Sequence, residues 1–570
     1  MHVILFKEIF MLGKRGVTWA ALSVRLQSLQ GKKVCVCGDF NAVRRPEERR
    51  SLKGGGENVS DYQHFCQFID DNELIDLPLC GRRCTWFKGD GSSMSRLDRF
   101  LLSKEWCLQW PNCIQIALLR GLSDHCPIQL FVDEENWGPR PLKMLKCWQD
   151  MLGYQQFVTE KWNSFQLEGW GGFVLCKKLK LIKAALKEWH LAHAHNIPGK
   201  IDNLKNHQTE LDDKGEDDGL SAQELLELRE VSQSLHSLSR VNTSIIWQQS
   251  RLHWLKDGDA NSRYFHSVLP SRQRRNSIVA LLGNGILVEE VVPIRNAVFS
   301  HFKDHYATIH TTRPRVENLP FKNLSYAEGS GLIKPFSIAE VKEAVWGCDS
   351  YKSSGPEGVN FGFIKQFWDV LKDDVMRFIT EFHRNGKLSR GINNTFIAFI
   401  PKIDSPQRVN DFRPISLVGS LYKILAKVLA NRLKIVMGKV VSDTQTTFVK
   451  NRQILDGILI ANEVVDKARK EKKELMLFKV DFEKAYNSVD WGYLDTVMKK
   501  MAFPLLWRKW IKECVSTATA SILVNGSPTE EFPMQRGLHQ RDPLSPFLFL
   551  PAAEGLNVMM SSVVRNNLFT

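Results

Sequence analysis

The sequence lacks the long apolar runs of a membrane protein. None of its 570 residues form an uninterrupted apolar stretch near the roughly 20 residues that a membrane-spanning helix needs. The N-terminal stretch MHVILFKEIFMLGK is interrupted by Lys7 and Glu8, and it has neither a charged leading segment nor a small-residue cleavage site. We therefore expect an intracellular protein without a signal peptide, a transmembrane segment or a membrane partner.

Zinc-binding cysteine patterns are also missing. The 12 cysteines are irregularly spaced, and only Cys35 with Cys37 and Cys80 with Cys84 form close pairs. Neither pair is followed by a second pair or by histidines at zinc-finger spacing. We interpret the cysteines as reduced, mostly buried thiols. The sequence also contains no short internal repeat and no low-complexity tract.

The sequence does contain an excess of positive charge. Lys and Arg total 77 against 63 Asp and Glu, which gives a net charge of +14. Hydrophobic residues make up 43% and charged residues 25%, as in ordinary globular proteins. The basic excess favours a polyanionic partner, most simply nucleic acid. A basic surface that serves only solubility would have the same composition.

Three regions differ in their residue patterns. Residues 1–135 alternate strand-like and helical segments, residues 136–340 are mainly helical and charge-rich, and residues 341–570 return to a mixed pattern. The segment DEENWGPRP, with acids, Gly and Pro, marks the first boundary. In the middle region, CKKLKLIKAALKEWHLAH and AQELLELREVSQSLHSLSRV predict helices separated by the polar break DDKGEDDGLS. A chain of this length predicts several domains.

Three polar motifs occur in the first region: GDFN (38–41), SRLDRF (95–100) and SDHCP (123–127). Each places a polar side chain at the end of a strand-like run, where a β-sandwich can gather loop residues into one site. Asp and His in adjacent loops can activate water and stabilise a phosphate during transfer. Taken singly the motifs are weak, because Asp-Phe-Asn is usually a turn and Asp-His is more often a capped loop.

In this order and spacing, the three motifs resemble the C-terminal part of the endonuclease/exonuclease/phosphatase superfamily. The resemblance implies that Asp39 orients or activates the attacking water and that Asn41 contacts the phosphate. Asp98 resembles the acid that hydrogen-bonds the catalytic histidine, His125 resembles that histidine, and Asp124 resembles the acid beside the metal site. Complete domains carry a metal-binding Asn and Glu upstream of GDFN. The residues before Asp39 show no match, so we expect that metal site to be absent and strand cleavage by this chain alone to fail.

The segment 250–278 interleaves basic and aromatic residues, a mixture that suits phosphate neutralisation and base stacking. A solvated basic face over an aromatic core explains the composition equally well. The segment also resembles the connector between nuclease and polymerase in plant-type LINE retrotransposons. We predict nucleic-acid contacts from Arg251, Trp254, Arg263, Arg272, Arg274 and Arg275.

A second series of motifs begins at residue 352: KSSGPEGVN, IAFIPKIDSPQRVNDFRPISLVG, TQTTFVKNRQILDG, VDFEKAYNSVDW and QRGLHQRDPLSPFLF. In isolation each could be a turn, a basic loop, a helix or a capped strand. Together and in order they resemble the fingers and part of the palm of a reverse transcriptase, especially that of non-long-terminal-repeat (LINE) elements. The whole chain then resembles a retrotransposon polyprotein. The implied fold is α+β and multidomain: a partial endonuclease/exonuclease/phosphatase α/β sandwich, a helical connector and a partial right-hand polymerase.

The resemblance also implies roles for individual residues of the polymerase. Nucleotidyl transfer uses two divalent ions, Mg²⁺ or Mn²⁺, that clamp the attacking and leaving oxygens. Asp481 resembles the first metal-binding acid, and Phe482 offers a backbone carbonyl beside it. Tyr486 resembles the steric gate that excludes a ribose 2′-hydroxyl.

Further residues of this region resemble nucleotide and template contacts. Lys402 and Arg413 resemble the finger residues that hold the incoming triphosphate. Gln540 matches a residue that packs near the templating base pair. The implied partners are an RNA template and a DNA target or primer. The implied location is the nucleus or a cytoplasmic ribonucleoprotein.

Departures from the family pattern predict impaired catalysis. Arg541 replaces the Gly of the usual GDPLSP motif, and Asn487 stands where many relatives have Asp. No Asp-Asp pair follows residue 542, so we expect a copy truncated at both ends and without its second acid cluster. The alternative function is a non-catalytic, nucleic-acid-binding remnant. A stand-alone phosphodiesterase formed by residues 1–135 is a weaker third possibility.

If the basic excess binds nucleic acid, the affinity should depend steeply on salt, because each phosphate contact releases a counterion. We expect the affinity for single-stranded RNA, measured by fluorescence anisotropy, to fall at least about tenfold between 50 and 200 mM salt. Undetectable or salt-insensitive binding would contradict a basic nucleic-acid surface.

Overall fold

The computed structural model describes residues 2–7, 15–51, 59–110, 112–151, 153–193, 196–217, 219–250, 276–283, 286–308, 316, 318–403, 405–443, 445–449, 451–475 and 485–566. The helices of these ranges, numbered in chain order, are α1 Arg15–Gln27, α2 Val59–Asp71, α3 Lys104–Gln109, α4 Tyr154–Ser164, α5 Gly171–His193, α6 Ile197–Asp217, α7 Ala222–Ser250, α8 Val291–Tyr306, α9 Tyr326–Ile333, α10 Ile338–Trp346, α11 Phe361–Gln366, α12 Trp368–Asn385, α13 Ser420–Val440, α14 Ile454–Lys470, α15 Trp491–Lys500, α16 Leu505–Ser516 and α17 Ser545–Arg565. The strands are β1 His2–Lys7, β2 Val34–Asp39, β3 Arg49–Ser51, β4 Ile75–Asp76, β5 Leu79–Cys80, β6 Trp86–Phe87, β7 Ser93–Ser95, β8 Asp98–Leu102, β9 Cys113–Ala117, β10 Ile128–Val132, β11 Leu281–Gly283, β12 Ile286–Val288, β13 Asn394–Pro401, β14 Phe412–Val418, β15 Thr519–Val524, β16 Ser527–Pro528 and β17 Phe532–Pro533.

The N-terminal region contains two main sheets. In the first, β1 pairs parallel with β2, and β8 pairs antiparallel with both β2 and β4. The second has the order β10-β9-β5, and β3, β7 and β6 form a smaller ribbon. Helices α1 and α2 cover the first sheet. This arrangement confirms the mixed α/β architecture expected for the first 135 residues.

Strand β2 is buried on both faces, which explains its continuous apolar run. Val34 and Val36 pack with α1 and α2, whereas Cys35 and Cys37 pack towards Cys113 on the second sheet. The two sets alternate because successive side chains of a strand point to opposite faces. Every cysteine whose side chain is described is a free thiol. The strand carries Asp39 from this buried interior to the edge of the sheet.

A buried ionic network holds the start of strand β8. The side chain of Arg99 is fully buried; its guanidinium donates to Asp76 Oδ2 at 2.7 Å and also to a carboxylate oxygen of Glu48. Arg96 donates to Asp76 Oδ1 at 2.9 Å. Burial acts to raise the pKa of Asp76, but the charges of Arg96 and Arg99 outweigh it and keep that pKa below its usual value. The network therefore fixes the backbone on both sides of Leu97 and Asp98, the two residues between the arginines.

The helical region has one boundary that differs from the prediction. The two predicted helices are present as α5 and α7, but the polar break is shorter than expected because α6 continues to Asp217. Residues 212–214 are charged and exposed, while α6 packs against α7 along its other side. In the sequence, the charged residues on the exposed face of α6 therefore looked like a loop.

The helical region shares its hydrophobic core with the polymerase-like region. Trp148 and Leu179 belong to the same buried cluster as Phe378, Leu429 and Leu548. Helix α5 packs along α12, and α10 packs along α13. The predicted division at residue 340 stays a prediction, and the core is continuous across it.

The polymerase-like region carries a mixed sheet with the order β14-β13-β15-β16, and β17 also pairs with β15. Strand β13 is antiparallel to β14 and parallel to β15. Helix α8 packs against this sheet through Phe302 and Tyr306, which share a cluster with Phe399 and Phe532. The β13–β14 hairpin positions the loop that contains Lys402.

Two loops pair through their backbones beside this sheet. The N–H of Leu538 donates to the carbonyl of Tyr486 at 2.7 Å, and the N–H of Gly537 donates to that of Val489 at 2.8 Å. Gly537 has φ +84°, and a Cβ there would lie 2.5 Å from the carbonyl oxygen of Asn487. Only glycine fits this position, because any side chain would collide with backbone.

Helix α17 is the one helix of the described ranges that is long and apolar enough, by length and composition alone, to cross a membrane. The expectation that the chain has no transmembrane segment stays a prediction. In the structure α17 packs against α13 and α15 and buries Leu548, Leu550 and Val558. Its apolar character therefore supplies part of the protein core.

Arg541 occupies a backbone conformation that favours glycine. Its φ is +75° and its side chain is exposed. The left-handed conformation costs a non-glycine residue about 1–2 kcal/mol. This explains in physical terms why the related motif has Gly here.

We expect the free energy of unfolding of Arg541→Gly to be about 1 kcal/mol higher than that of Arg541→Ala. The reason is that only glycine adopts the left-handed backbone conformation without an energetic cost. Urea unfolding of the two variants, which both lack the exposed guanidinium, measures this difference. Equal stabilities would show that the backbone at residue 541 carries no strain.

Candidate functional site

The first site forms where three elements of the N-terminal region meet. Asp39 is the last residue of β2 and Asp98 is the first of β8, and the two residues face each other in the antiparallel register. His125 lies on the connection between β9 and β10 and forms a β-bridge with Trp86. The fold therefore brings together Asp39, Asp98 and His125, one predicted residue from each of the three motifs.

His125 is oriented by one acid and approaches another. Its Nδ1 lies 2.9 Å from Asp98 Oδ2, within hydrogen-bond distance, and its Nε2 lies 3.9 Å from Asp39 Oδ2. Asp39 Oδ1 accepts the backbone N–H of Asn41 at 3.0 Å. The hydroxyl of Thr85 accepts the N–H of Asp98 at 3.0 Å. The gap between His125 Nε2 and Asp39 Oδ2 is too long for a direct hydrogen bond.

The acids around His125 favour its protonated form. Burial lowers the pKa of the imidazole, but the hydrogen bond and charge of Asp98, together with the charges of Asp39 and Asp124, outweigh burial and raise that pKa above its ordinary value. An imidazole held between carboxylates in this way can accept and return protons, as general acid–base chemistry needs.

Asp124 and Asn41 lie beside this cluster rather than within it. The indole N–H of Trp86 donates to Asp124 Oδ2 at 2.9 Å, and this hydrogen bond is the main reason why the pKa of Asp124 is below its usual value. Asn41 forms the turn after Asp39 with φ +48°. The roles of both residues at a phosphate or a metal stay predictions.

The cluster fits proton transfer better than it fits a resident Mg²⁺ ion. One atom each from Asp39, Asp98 and His125 lies within 4.8 Å of the others, which is close enough for shared coordination. Mg²⁺, however, prefers an octahedron of oxygens. One of the three groups is a nitrogen, and Asp98 Oδ2 already bonds to His125. The donor set of this site therefore does not match a resident Mg²⁺ ion.

The second site is a cavity of about 280 Å³ beside the β13–β14 hairpin. Four residues predicted from three motifs line it: Lys402, Arg413, Tyr486 and Gln540. They are spread over a segment that begins at residue 402 and ends at residue 540, and the fold gathers them around one space. Asn410 and Asn487 add amide groups to the wall, and His301 and His305 from α8 add imidazoles. Sequence reasoning missed these histidines because α8 carries no recognisable motif.

Backbone contacts fix the residues around this cavity. Lys402 Nζ donates to the carbonyl of Asn410 at 2.8 Å, and Arg413 faces Ile400 across the hairpin. The ring of Tyr486 lies 5.3 Å from that of Phe549, and burial raises the pKa of its hydroxyl. Gln540 Oε1 is buried and accepts no hydrogen bond from the described part of the chain. A buried amide oxygen without a donor is a group that a ligand can satisfy.

Several predicted site residues lie outside the described residues. These are Asp481 and Phe482 of the polymerase motif and Arg251, Trp254, Arg263, Arg272, Arg274 and Arg275 of the basic segment. Their roles stay predictions from the sequence.

A second basic surface was not predicted from the sequence. Burial raises the pKa of the Cys348 thiol, while the charges of four surrounding lysines oppose that rise. The lysines come from three separate elements: Lys352, Lys365, Lys423 and Lys427. Trp346 lies close by in sequence, and 45% of it is exposed.

Two known families match separate segments of the chain. Residues 16–125 match the endonuclease/exonuclease/phosphatase family, and residues 400–564 match the reverse transcriptase (RNA-dependent DNA polymerase) family. The chain joins an endonuclease/exonuclease/phosphatase domain to a reverse transcriptase domain. This confirms the order predicted from the motifs. Both families generally use divalent metal ions, and a reverse transcriptase domain implies binding of RNA and DNA.

Individual relatives are retrotransposon polyproteins, in agreement with the predicted non-long-terminal-repeat class. The transposon TX1 149 kDa protein of Xenopus laevis is 27% identical over 58% of this chain and 25% of its own length. The Pol polyprotein of retrotransposable element R2 from Bradysia coprophila is 25% identical over 48% of this chain and 30% of its own. The R2DM polyprotein of Drosophila melanogaster is 26% identical over 37% of this chain and 19% of its own length. The chain thus spans less than a third of the length of these relatives.

Asp98 should control the ionisation of His125. We expect Asp98→Asn to lower the imidazole pKa, because the amide keeps a hydrogen-bonding group but removes the charge that favours the imidazolium. Titration of the His125 ring signal by NMR measures the change. The ring signal of the exposed His236 of α7, which lies outside this site, serves as an internal control. An unchanged His125 pKa would show that Asp98 does not set it.

Proposed function

We propose that this chain is the nucleotide-binding and template-copying part of a retrotransposon polyprotein, an RNA-directed DNA polymerase preceded by an endonuclease-like domain. Its substrates are 2′-deoxynucleoside triphosphates, and its partners are an RNA template and a DNA target or primer. Such partners imply a nuclear protein or a cytoplasmic ribonucleoprotein. The observation that carries the proposal is the convergence of Lys402, Arg413, Tyr486 and Gln540 on one cavity.

The electrostatics of this cavity suit a polyanionic ligand. Lys402 and Arg413 supply positive charge, and the lining includes amides and imidazoles but no carboxylate among the described residues. Charge-assisted hydrogen bonds from Arg and Lys are the strong contacts of phosphate-binding sites. The two cations flank the end of the β13–β14 hairpin, so a triphosphate would lie across the fingers.

The opposite wall suits the sugar and the base of a nucleotide. Tyr486 packs against Phe549, and its backbone is held by Leu538, which fixes the phenol beside the space where a sugar would lie. The buried amide oxygen of Gln540 accepts no hydrogen bond from the residues that the structure describes. Asp481 would hold the divalent ion, which supplies charge neutralisation at the reacting oxygens.

A test of this assignment uses binding alone, so it does not depend on turnover. We expect Tyr486→Ala to reduce the preference for a deoxynucleoside triphosphate over the ribonucleotide by at least about tenfold, because removing the ring removes the clash with the 2′-hydroxyl. Calorimetry with dTTP and UTP measures the two affinities in the full chain.

The matched control for that variant is Tyr486→Phe, which keeps the ring and should keep the preference. If Tyr486→Ala retains full discrimination, Tyr486 does not face the sugar. If the wild-type chain binds neither nucleotide, the remnant alternative, a protein that binds nucleic acid without polymerase substrates, takes the place of the proposal.

The N-terminal domain has a separate candidate chemistry. His125, oriented by Asp98, and Asp39 are spaced so that one water molecule can contact both. As the oxygen of this water bonds to the phosphorus of a phosphodiester, His125 or Asp39 would accept its proton. The P–O bond to the leaving strand would break, and the leaving oxygen would take a proton from solvent. We propose this arrangement as the water-activating half of an endonuclease site.

A further inference from the structure

Helix α8 borders the polymerase cavity although it belongs to neither matched segment. It spans Val291–Tyr306, whereas the family matches cover residues 16–125 and 400–564. Its buried side packs on the mixed sheet: the ring of Phe302 lies 5.5 Å from that of Phe399, and the ring of Tyr306 lies 6.4 Å from that of Phe532. These anchors hold α8 as a fixed wall of the cavity.

The neighbouring stripe of α8 presents two histidines to the cavity. His301 and His305 are one helical turn apart, and their rings are parallel within 5° with centroids 6.5 Å apart. Both line the same cavity as Lys402 and Arg413. Two imidazoles therefore face the space that two permanent cations also face.

The C-terminal end of α8 is fixed to the loop that carries Gln540. Arg536 donates through Nε to the carbonyl of His305 at 2.9 Å, and the N–H of Gln535 donates to the carbonyl of Tyr306 at 3.0 Å. The N–H of Thr308 donates to the Gln535 side chain at 2.8 Å. The histidines are thus positioned by the same segment, 535–540, that positions the base-facing glutamine.

We propose that His301 and His305 bind the phosphate chain of the incoming nucleoside triphosphate. Imidazole N–H groups donate hydrogen bonds to phosphate oxygens, and a protonated ring adds charge. Among the described residues, the lining of this cavity contains no carboxylate that would repel a phosphate. This inference rests on the proposed function of the cavity and extends it to a helix outside the matched polymerase segment.

The experiment compares a triphosphate with a nucleoside in the full chain. We expect the double variant His301→Ala with His305→Ala to bind dTTP about tenfold more weakly, the loss typical of a charge-assisted hydrogen bond, while binding of thymidine changes less than twofold. The matched control is His236→Ala, which removes an exposed histidine of α7 and should leave both affinities unchanged.

Thermal unfolding checks that the double variant is folded. If its midpoint falls, the single variants His301→Gln and His305→Gln, which keep size and polarity, replace it, and each should weaken dTTP binding about threefold. Unchanged dTTP affinity, or an equal loss for dTTP and thymidine, would overturn the phosphate role.

Lys402→Ala separates a failure of this inference from a failure of the proposed function. If that variant weakens dTTP binding and the histidine variants do not, only the role of α8 is wrong. If the wild-type chain binds no dTTP, the nucleotide cavity and the role of α8 are both overturned.

Discussion

The backbone pairing between residues 486–489 and 537–538 organises the polymerase cavity. It holds the loop that contains Tyr486 against the loop that contains Gln540, and the indole of Trp491 adds a hydrogen bond of 2.7 Å to the carbonyl of Gly537. The contact is possible because Gly537 lacks a side chain where the backbone of Asn487 passes. The same loop continues back through Arg536 to α8. A single close approach of two backbones therefore sets the positions of three walls.

The two sites have opposite electrostatic characters within one basic chain. The N-terminal site gathers Asp39 and Asp98 around a histidine, so the site itself favours a proton or a positive charge. The polymerase cavity gathers cations and neutral donors. The first arrangement suits activation of water next to a substrate, and the second suits holding the substrate's own phosphates. The net charge of the chain could indicate the kind of partner, but it could not indicate that the two sites carry opposite charges.

Motifs in the sequence predicted the residues that converge but not the elements that support them. Asp39 and Asp98 could be placed at strand ends from the apolar runs beside them, and Lys402 and Tyr486 from an ordered set of motifs. Helix α8 could not be placed, since helical periodicity shows that a face is buried but not which sheet buries it. The extension of α6 through a charged run had the same cause: local polarity does not reveal a tertiary partner. The left-handed backbone at Arg541 is likewise set by the turn around it, although the departure from Gly pointed to the position.

The ionic network beneath β8 has a consequence for how copies of this sequence can diverge. Arg99 is fully buried between Asp76 and Glu48, so neutralising any one partner leaves an uncompensated charge in the interior, at a cost of about 3–5 kcal/mol. That is a large share of the 5–15 kcal/mol that holds a typical domain folded. Substitutions at these positions therefore persist only when two or more occur together. Divergence at this point of the fold should be correlated, with the acids and arginines exchanged as a set, while the exposed charges of α6 and α7 drift independently.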